Sequence, residues 1–411
     1  MEVLFTHCAG LDCHKQTVVV HRVLPGPATG LLRETRSFGT TTAELLRLSD
    51  WLSAGGVTHL AMESTGVYWK PIFNLLETSF NVAVLNAQHV KNVPGRKTDV
   101  KDAQWLAELL RHGLVQPSFI PPQAQRDLRD LTRERTNFVR QRATLANRVQ
   151  KVLEGMNIKL GDVASDVLGR SGRAMLDALV AGQTDAAQLA ELAQGKLRRK
   201  RAELEQALTG RVRAHHQFLL SELLSQIDSV DDTIARFTAA IERACLADGD
   251  VVALLDTIPG ISKEVAEVVL AEIGTDMSRF PSAAQLAAWS GLVPGNDESA
   301  GKRRNGRIRK GDPWLRVILI QAALGATRSK GTYLGAQYRR LAARRGAKRA
   351  IVAVAHSLIV IIYHVIAERA PYRELGGDYF ERGNAEAKAK RLVRRVEQLG
   401  YEVTLKPKPA A

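Results

Sequence analysis

The order of apolar and polar positions divides the chain into an alternating part, a long-period part and a second compact part. Up to about residue 115, short apolar runs predict strands near Gly10-Leu11, at Thr17 to Val23, Leu32 to Phe38, Val57 to Met62 and Val82 to Asn86. Helical spacing predicts helices over Thr42 to Leu52, Trp69 to Thr78 and Asp99 to His112, the last with Thr98 as its N-cap. From Gln123 to Glu154, Leu128, Leu131, Phe138, Leu145, Val149 and Val152 recur at three- and four-residue intervals. Residues 197 to 246 do the same through Ile227, Val230, Ile234, Phe237 and Ile241. Both read as long helices, an antiparallel or intermolecular coiled coil or, as is preferred for most of the stretch, a plain helical spacer. Arg135 and Arg142 fall on the first seam, where a dry coil disfavours them, so those turns are expected to face a phosphate backbone. Beyond Asp250, LLDTIPGISKEVAEVVLAEIG reads helix, tight Gly260 turn, helix, which is helix-hairpin-helix-like or a plain αα-hairpin. A short helix (Ala283 to Ser290), a Gly- and Arg-rich loop (Gly291 to Gly311) and apolar helices opened by Asp312-Pro313 follow. The expected domains are 1–120 (α/β), 121–248 (helical coiled-coil linker and oligomerisation region), 249–372 (helical, with the Gly- and Arg-rich loop) and 373–411 (charged tail).

Charge sharpens this picture. Fifty-eight Lys and Arg against 43 Asp and Glu give a formal net charge of +15 in 411 residues, which favours a polyanionic partner. Aromatic residues make up only 5%, so base stacking is not expected to dominate nucleic-acid binding. Cys8, Cys13 and Cys245 are too few and too scattered for a disulfide framework or a structural zinc site, and fit a reducing compartment. Glu2 without a basic flank does not read as a signal peptide. The apolar run Ala350 to Ala367 nearly matches a membrane span in length, but contains His356, Ser357 and His364 and reads as a core helix. A cytoplasmic protein without a membrane partner is expected.

Four acids carry candidate chemistry. Asp12 in GLDCHK and Glu63 in AMESTG each end a predicted strand. Asp99 and Asp102 in KTDVKDA are three apart at the start of a helix and share a face. Each alone has an ordinary reading, such as a helix-dipole charge or a loop residue. Two carboxylates from strand ends and two from a helix face can together hold a pair of hard divalent cations. Such a pair activates a nucleophile and stabilises the leaving oxygen in a phosphoryl displacement.

The second concentration is GLVPGNDESAGKRRNGRIRKGDPWLR, where Ser299 is followed by Lys302, Arg303, Arg304, Arg307, Arg309 and Lys310. The basic run suits phosphate binding. On the residues alone Ser299 is an ordinary loop serine, because no Ser-His-Asp arrangement surrounds it. A hydroxyl among cations can nevertheless attack a phosphodiester if a base takes its proton.

GLDCHK, MESTG with Tyr68 two residues on, KTDVKDA and GLVP…SAGK…GRIRKGD…LR occur in this order. Together they resemble the DEDD transposases of insertion-sequence family 110, including its 1111-type branch. Ala300 stands where that pattern has glycine. The resemblance implies an RNase H-like (RuvC-like) N-terminal domain, a helical region and a mainly helical serine transposase domain. It implies that Asp12, Glu63, Asp99 and Asp102 bind Mg2+, as two ions and with Mn2+ as a substitute. It implies that Ser299 is the nucleophile forming a covalent link to DNA, and that a structured noncoding guide RNA pairs with target and donor DNA. Homo-oligomers, dimeric or tetrameric, would build composite sites. The competing reading is a RuvC-like metal-dependent nuclease or junction resolvase with no covalent serine intermediate; a non-enzymatic binding protein with a degenerate site is disfavoured by the presence of all four acids.

Overall fold

The computed structural model describes residues 2–27, 30–64, 66–86, 102–295, 297–382 and 385–404. The chain separates into two compact units, Met1–Pro122 and Gln123–Ala411: a mixed α/β sheet unit, then a mostly helical one.

In the first unit β1 (Cys8–Cys13), β2 (Thr17–Pro25), β3 (Leu31–Gly39), β4 (His59–Glu63) and β5 (Asn81–Leu85) form one sheet in the order β3-β2-β1-β4-β5. The first three strands form an antiparallel meander, and β4 and β5 run parallel to β1. Helices α1 (Thr42–Ala54) and α2 (Trp69–Leu76) supply the long connections that parallel pairing needs. Ala9, Leu11, Leu60, Met62 and Val84 pack with Leu45, Leu48, Ile72 and Leu76 of these helices in one core. The opposite face buries Cys8, Ala61 and Leu85 against Leu106, Ala107 and Leu110 of α3 (Asp102–Arg111). Consecutive strand residues therefore serve opposite cores, as the pleat requires. This mixed sheet is consistent with the RuvC-like expectation.

The helical unit has two cores. Helix α4 (Gln123–Gly155) packs antiparallel on a long partner: Phe138 meets Phe237 at 5.5 Å between ring centroids, and Arg142 pairs with Asp231. Sequence periodicity predicts one helix over 197–246. The structure instead has a 3-10 segment (Gly195–Lys200), α8 (Arg201–Leu208) and α9 (Ala214–Ala244). The break has a packing cause. Gly210 lies so close to the end of α4 that an added Cβ would sit 2.5 Å from the Met156 carbonyl oxygen, and Arg211 N–H donates to that same oxygen. Between them α5 (Leu160–Val163), α6 (Arg170–Val180) and α7 (Ala186–Glu191) close a core that includes Leu153, Met175, Leu204 and Leu224.

The second core gathers α10 (Gly249–Asp256), α11 (Lys263–Ile273), α12 (Ala283–Trp289), α13 (Pro313–Arg328), α14 (Tyr333–Arg345) and α15 (Ala347–Glu368). Helix α15 is long and apolar enough to cross a membrane by composition. Here Val354, Leu358, Ile362 and Ile366 are centres of this core. The Gly260 turn (φ +90°) lies against α13, where a Cβ would meet the Ala322 carbonyl oxygen at 2.3 Å, so close packing alone accounts for that glycine. Two short helices, α16 (Tyr379–Arg382) and α17 (Ala385–Glu397), end the described chain.

The seam arginines are a correction. Arg135 is buried and donates to the buried Glu267 of α11 at 3.1 Å, and Arg142 is engaged by Asp231. Removing Arg135 from water is offset by a buried carboxylate on a facing helix rather than by phosphate, and the partly exposed Arg142 is likewise answered by an acid. Arg133 is likewise bidentate to the buried Glu272 (2.7 and 2.8 Å).

Candidate active site

Alternation along β1 sends Cys8, Gly10 and Asp12 to the α3 face, and along β4 it sends Ala61 and Glu63 the same way. Leu11 pairs with Met62, so Asp12 and Glu63 are the next step on adjacent parallel strands, at the C-terminal edge of the sheet. Helix α3 reaches this edge because residue 10 is glycine. A Cβ there would lie 2.1 Å from the Ala103 carbonyl oxygen and 2.5 Å from the Ala107 nitrogen. The helix thus presses onto β1, with Asp102 at the start of its described part. Asp12, Glu63 and Asp102 are each half-buried.

The site has a local electrostatic signature. The Cys13 thiol is pushed up to about 12, chiefly by burial and then by the nearby charges of Asp12 and Glu63. His14 Nε2 lies 3.1 Å from Asp12 Oδ2, a contact the sequence alone did not single out. Among the described residues no three His, Cys, Asp or Glu side chains close around a common metal position. Asp99 and the predicted N-cap Thr98 lie outside the described residues. The donor chemistry, acids from two strand ends and one helix on one face, fits a hard divalent cation.

The second candidate segment is a β-hairpin where the sequence suggested a flexible loop. β6 (Asp297–Ser299) pairs antiparallel with β7 (Lys302–Asn305), with Ser299 opposite Lys302. The two residues between them, Ala300 (φ +51°) and Gly301 (φ +71°), are both left-handed, as in a type I′ turn. Ala300 therefore occupies a conformation that glycine adopts more easily, which is the physical sense of the glycine in the family pattern. Further bonds zip the hairpin down to its root: Gly295 N–H to Arg307 O (2.9 Å) and Arg309 N–H to Val293 O (3.1 Å). At the neck the strands touch through glycines, since a Cβ on Gly311 would sit 2.3 Å from the Gly291 nitrogen. Asp312 then caps α13 by accepting from Leu315 N–H at 2.8 Å.

Lys302, Arg307, Arg309 and Lys310 are exposed along this hairpin. Arg303 and Arg304 lie on β7, and the side chains of Ser299, Arg303 and Arg304 are outside the described set. Arg309 and Lys310 border an open cleft together with Trp289, Gly311 and Asp312.

Comparison with known proteins decides the family. Residues 9–158 match the DEDD transposases of the IS110 type, and residues 252–339 match the transposase family IS116/IS110/IS902. The chain carries the two domains of an IS110-family transposase. It is 28% identical over 371 residues to a probable family 20 transposase of Pseudomonas aeruginosa, covering 89% of this chain and 98% of that one. It is 26% identical over 295 residues to the transposase for insertion sequence element IS1111A of Coxiella burnetii, covering 71% and 72%. A putative transposase of Sinorhizobium fredii is 28% identical over 288 residues, covering 68% and 65%. The protein is a DNA transposase/recombinase enzyme.

The first matched region of the transposase contains Asp12, Glu63, Asp99 and Asp102, and the second contains Ser299 with the whole hairpin. Within the helical unit, the scaffold of the transposase is tied to the hairpin root. Arg133 of α4, held by Glu272, reaches Asp312 Oδ2 at 3.5 Å. Nothing in the local sequence of α4 or α11 marks this triad, because Glu272 looks like a solvent-facing charge on an amphipathic helix. The transposase's three cysteines are free and buried, with Cys8 and Cys245 each raised to about 11, chiefly by burial, so they are poor thiolates.

Proposed function

We propose that this transposase cuts and rejoins DNA strands at the Asp12–Glu63–Asp102 corner, with Asp99 as the fourth acid. The observation that carries the reading is the shared face: two strand-end carboxylates and the start of α3 lie on one side of one sheet edge, brought close by Gly10. These four residues would hold Mg2+, one ion or two, with Mn2+ as a substitute. When bound, the metal supplies a Lewis acid for the phosphoryl oxygens and lowers the cost of charge on the leaving oxygen. The chain's own contribution is to fix the carboxylates on rigid elements, with α3 locked against β1 by a contact that admits no side chain at residue 10.

Ser299 is the nucleophile in this reading. It is the last residue of β6 before the exposed Ala300-Gly301 turn. A bond forms between the serine oxygen and phosphorus as the strand's P–O bond breaks. The hydroxyl proton passes to a base and the departing strand oxygen takes up a proton. Attack by the free strand end on the phosphoserine reverses the step and rejoins DNA, so the bond energy is conserved through the intermediate. Lys302, Arg303, Arg304, Arg307, Arg309 and Lys310 hold the flanking phosphates.

Target choice is carried by a structured guide RNA, in keeping with the low aromatic content and the scarcity of base-reading elements. The paired helices α4 and α9 act in a coiled-coil-like assembly of a homo-oligomer. The compartment is the cytoplasm. Chelation tests the reading: EDTA is expected to stop strand cutting and leave duplex binding intact, and Mg2+ or Mn2+ to restore cutting. Cutting that continues at an unchanged rate in EDTA contradicts it.

A further inference from the structure

From Pro313 to Ala367 the chain contains no Asp or Glu, but it contains Arg316, Arg328, Lys330, Arg339, Arg340, Arg344, Arg345, Lys348 and Arg349. The last six fall within eleven residues around Gly346, where α14 turns into α15 with φ +81°. All six are exposed. No carboxylate pairs with any of them among the described residues. In contrast, Arg129, Arg133, Arg135, Arg142 and Arg173 of the same unit are all engaged by acids. The transposase balances its structural arginines and leaves this corner unbalanced.

The corner is rigid. Leu334 and Gly335 bury the inner side of α14, Gln337 donates to Ser357 of α15 at 2.9 Å, and the inner side of α15 lies in the second core. Arg339, Arg340 and Arg344 share the outer face of α14, with Arg340 and Arg344 one turn and about 6 Å apart along the axis. Arg345, Lys348 and Arg349 continue the array around the turn. Six uncompensated like charges on a fixed surface repel one another, and a polyanion offsets that repulsion. Residues 339–349 include no aromatic side chain, and the ring beside them, Phe380, is already taken up by the Arg340 guanidinium (5.0 Å to its centroid) and by stacking on Tyr333, so the array offers charge to backbone phosphates rather than a free platform for bases.

We propose that the α14–α15 corner around Gly346 is a second DNA-binding surface, which grips the phosphate backbone of duplex DNA without reading its sequence. The surface lies apart in sequence from the Ser299 hairpin and takes no part in strand chemistry. It anchors the duplex whose strands are cut, so it goes beyond the active-site reading and can hold or fail independently of it.

The test is binding of the full-length chain to a fluorescent DNA duplex of arbitrary sequence, titrated with salt in EDTA so that no cutting is read. Each phosphate contact contributes about 0.9 to the slope of log affinity against log salt. The triple variant Arg344→Ala/Arg345→Ala/Arg349→Ala is therefore expected to lower that slope by about 3 and to weaken binding at least about tenfold near physiological salt. The matching Arg→Lys triple variant keeps the charges and is expected to keep most of the slope, which separates charge from fold. Unchanged slope and affinity in the alanine variant overturn the proposal. So does a loss confined to RNA duplexes with DNA binding intact, which would assign the corner to RNA. An equal loss in the lysine variant also overturns it, since charge would then not be what the surface supplies.

Discussion

Asp102→Asn is expected to reduce strand cutting in Mg2+ by roughly 10²–10³-fold or more, the scale on which removal of one preorganised electrostatic group acts in phosphoryl and acyl transfer. The change is isosteric and removes only a charge. Asp102 opens the described part of α3, next to Ala103, whose carbonyl oxygen meets the bare face of Gly10. The helix is held by Leu106, Ala107, Leu109 and Leu110, all buried, and none of these contacts changes in the variant. Duplex binding and thermal stability should therefore be preserved while cutting falls. The assay is a labelled duplex resolved on a denaturing gel. Cutting at the wild-type rate would remove Asp102 from the site.

Ser299→Ala is expected to abolish the SDS-resistant protein–DNA adduct completely. Alanine keeps the backbone of β6, and the hairpin is zipped below the turn by bonds that do not involve the serine side chain. Loss of the adduct would thus report chemistry rather than folding. An adduct that persists would take the nucleophile's role from Ser299. Strand cutting that survives without any adduct in either form would favour a metal-dependent nuclease or resolvase, in which water attacks in place of serine.

The α/β sheet was legible because half-buried strands alternate and because the strand-ending acids in GLDCHK and AMESTG interrupt otherwise apolar runs. That Asp12 and Glu63 face the same side was not legible, since it depends on the Leu11–Met62 register, which pairing decides. Gly10 was passed over for a related reason: its value lies in the approach of a helix some 90 residues later. The helix predicted over 197–246 continues in periodicity across a break that is made by tertiary contact at Gly210. Arg135 read as a phosphate ligand because its partner, Glu267, sits on a helix 132 positions away. The hairpin escaped notice because its strands are short and polar, acidic in β6 (DES) and basic in β7 (KRRN), with no apolar alternation, and only the Ala300-Gly301 turn betrays it. The six cations around Gly346 were visible as letters from the start. What the structure adds is that no acid answers them among the described residues.

The central claim is that Asp12, Glu63, Asp99 and Asp102 form one metal site. Anomalous diffraction from crystals of the full-length transposase soaked in Mn2+ measures this directly. The expected result is a peak bonded to oxygens of Asp12 and Glu63 at roughly 2.1 Å, the distance of a small hard divalent cation, with Asp99 or Asp102 completing the shell and the peak lost in Asp12→Asn. A manganese peak bound only elsewhere, or an empty corner at a concentration that supports cutting in solution, would contradict it.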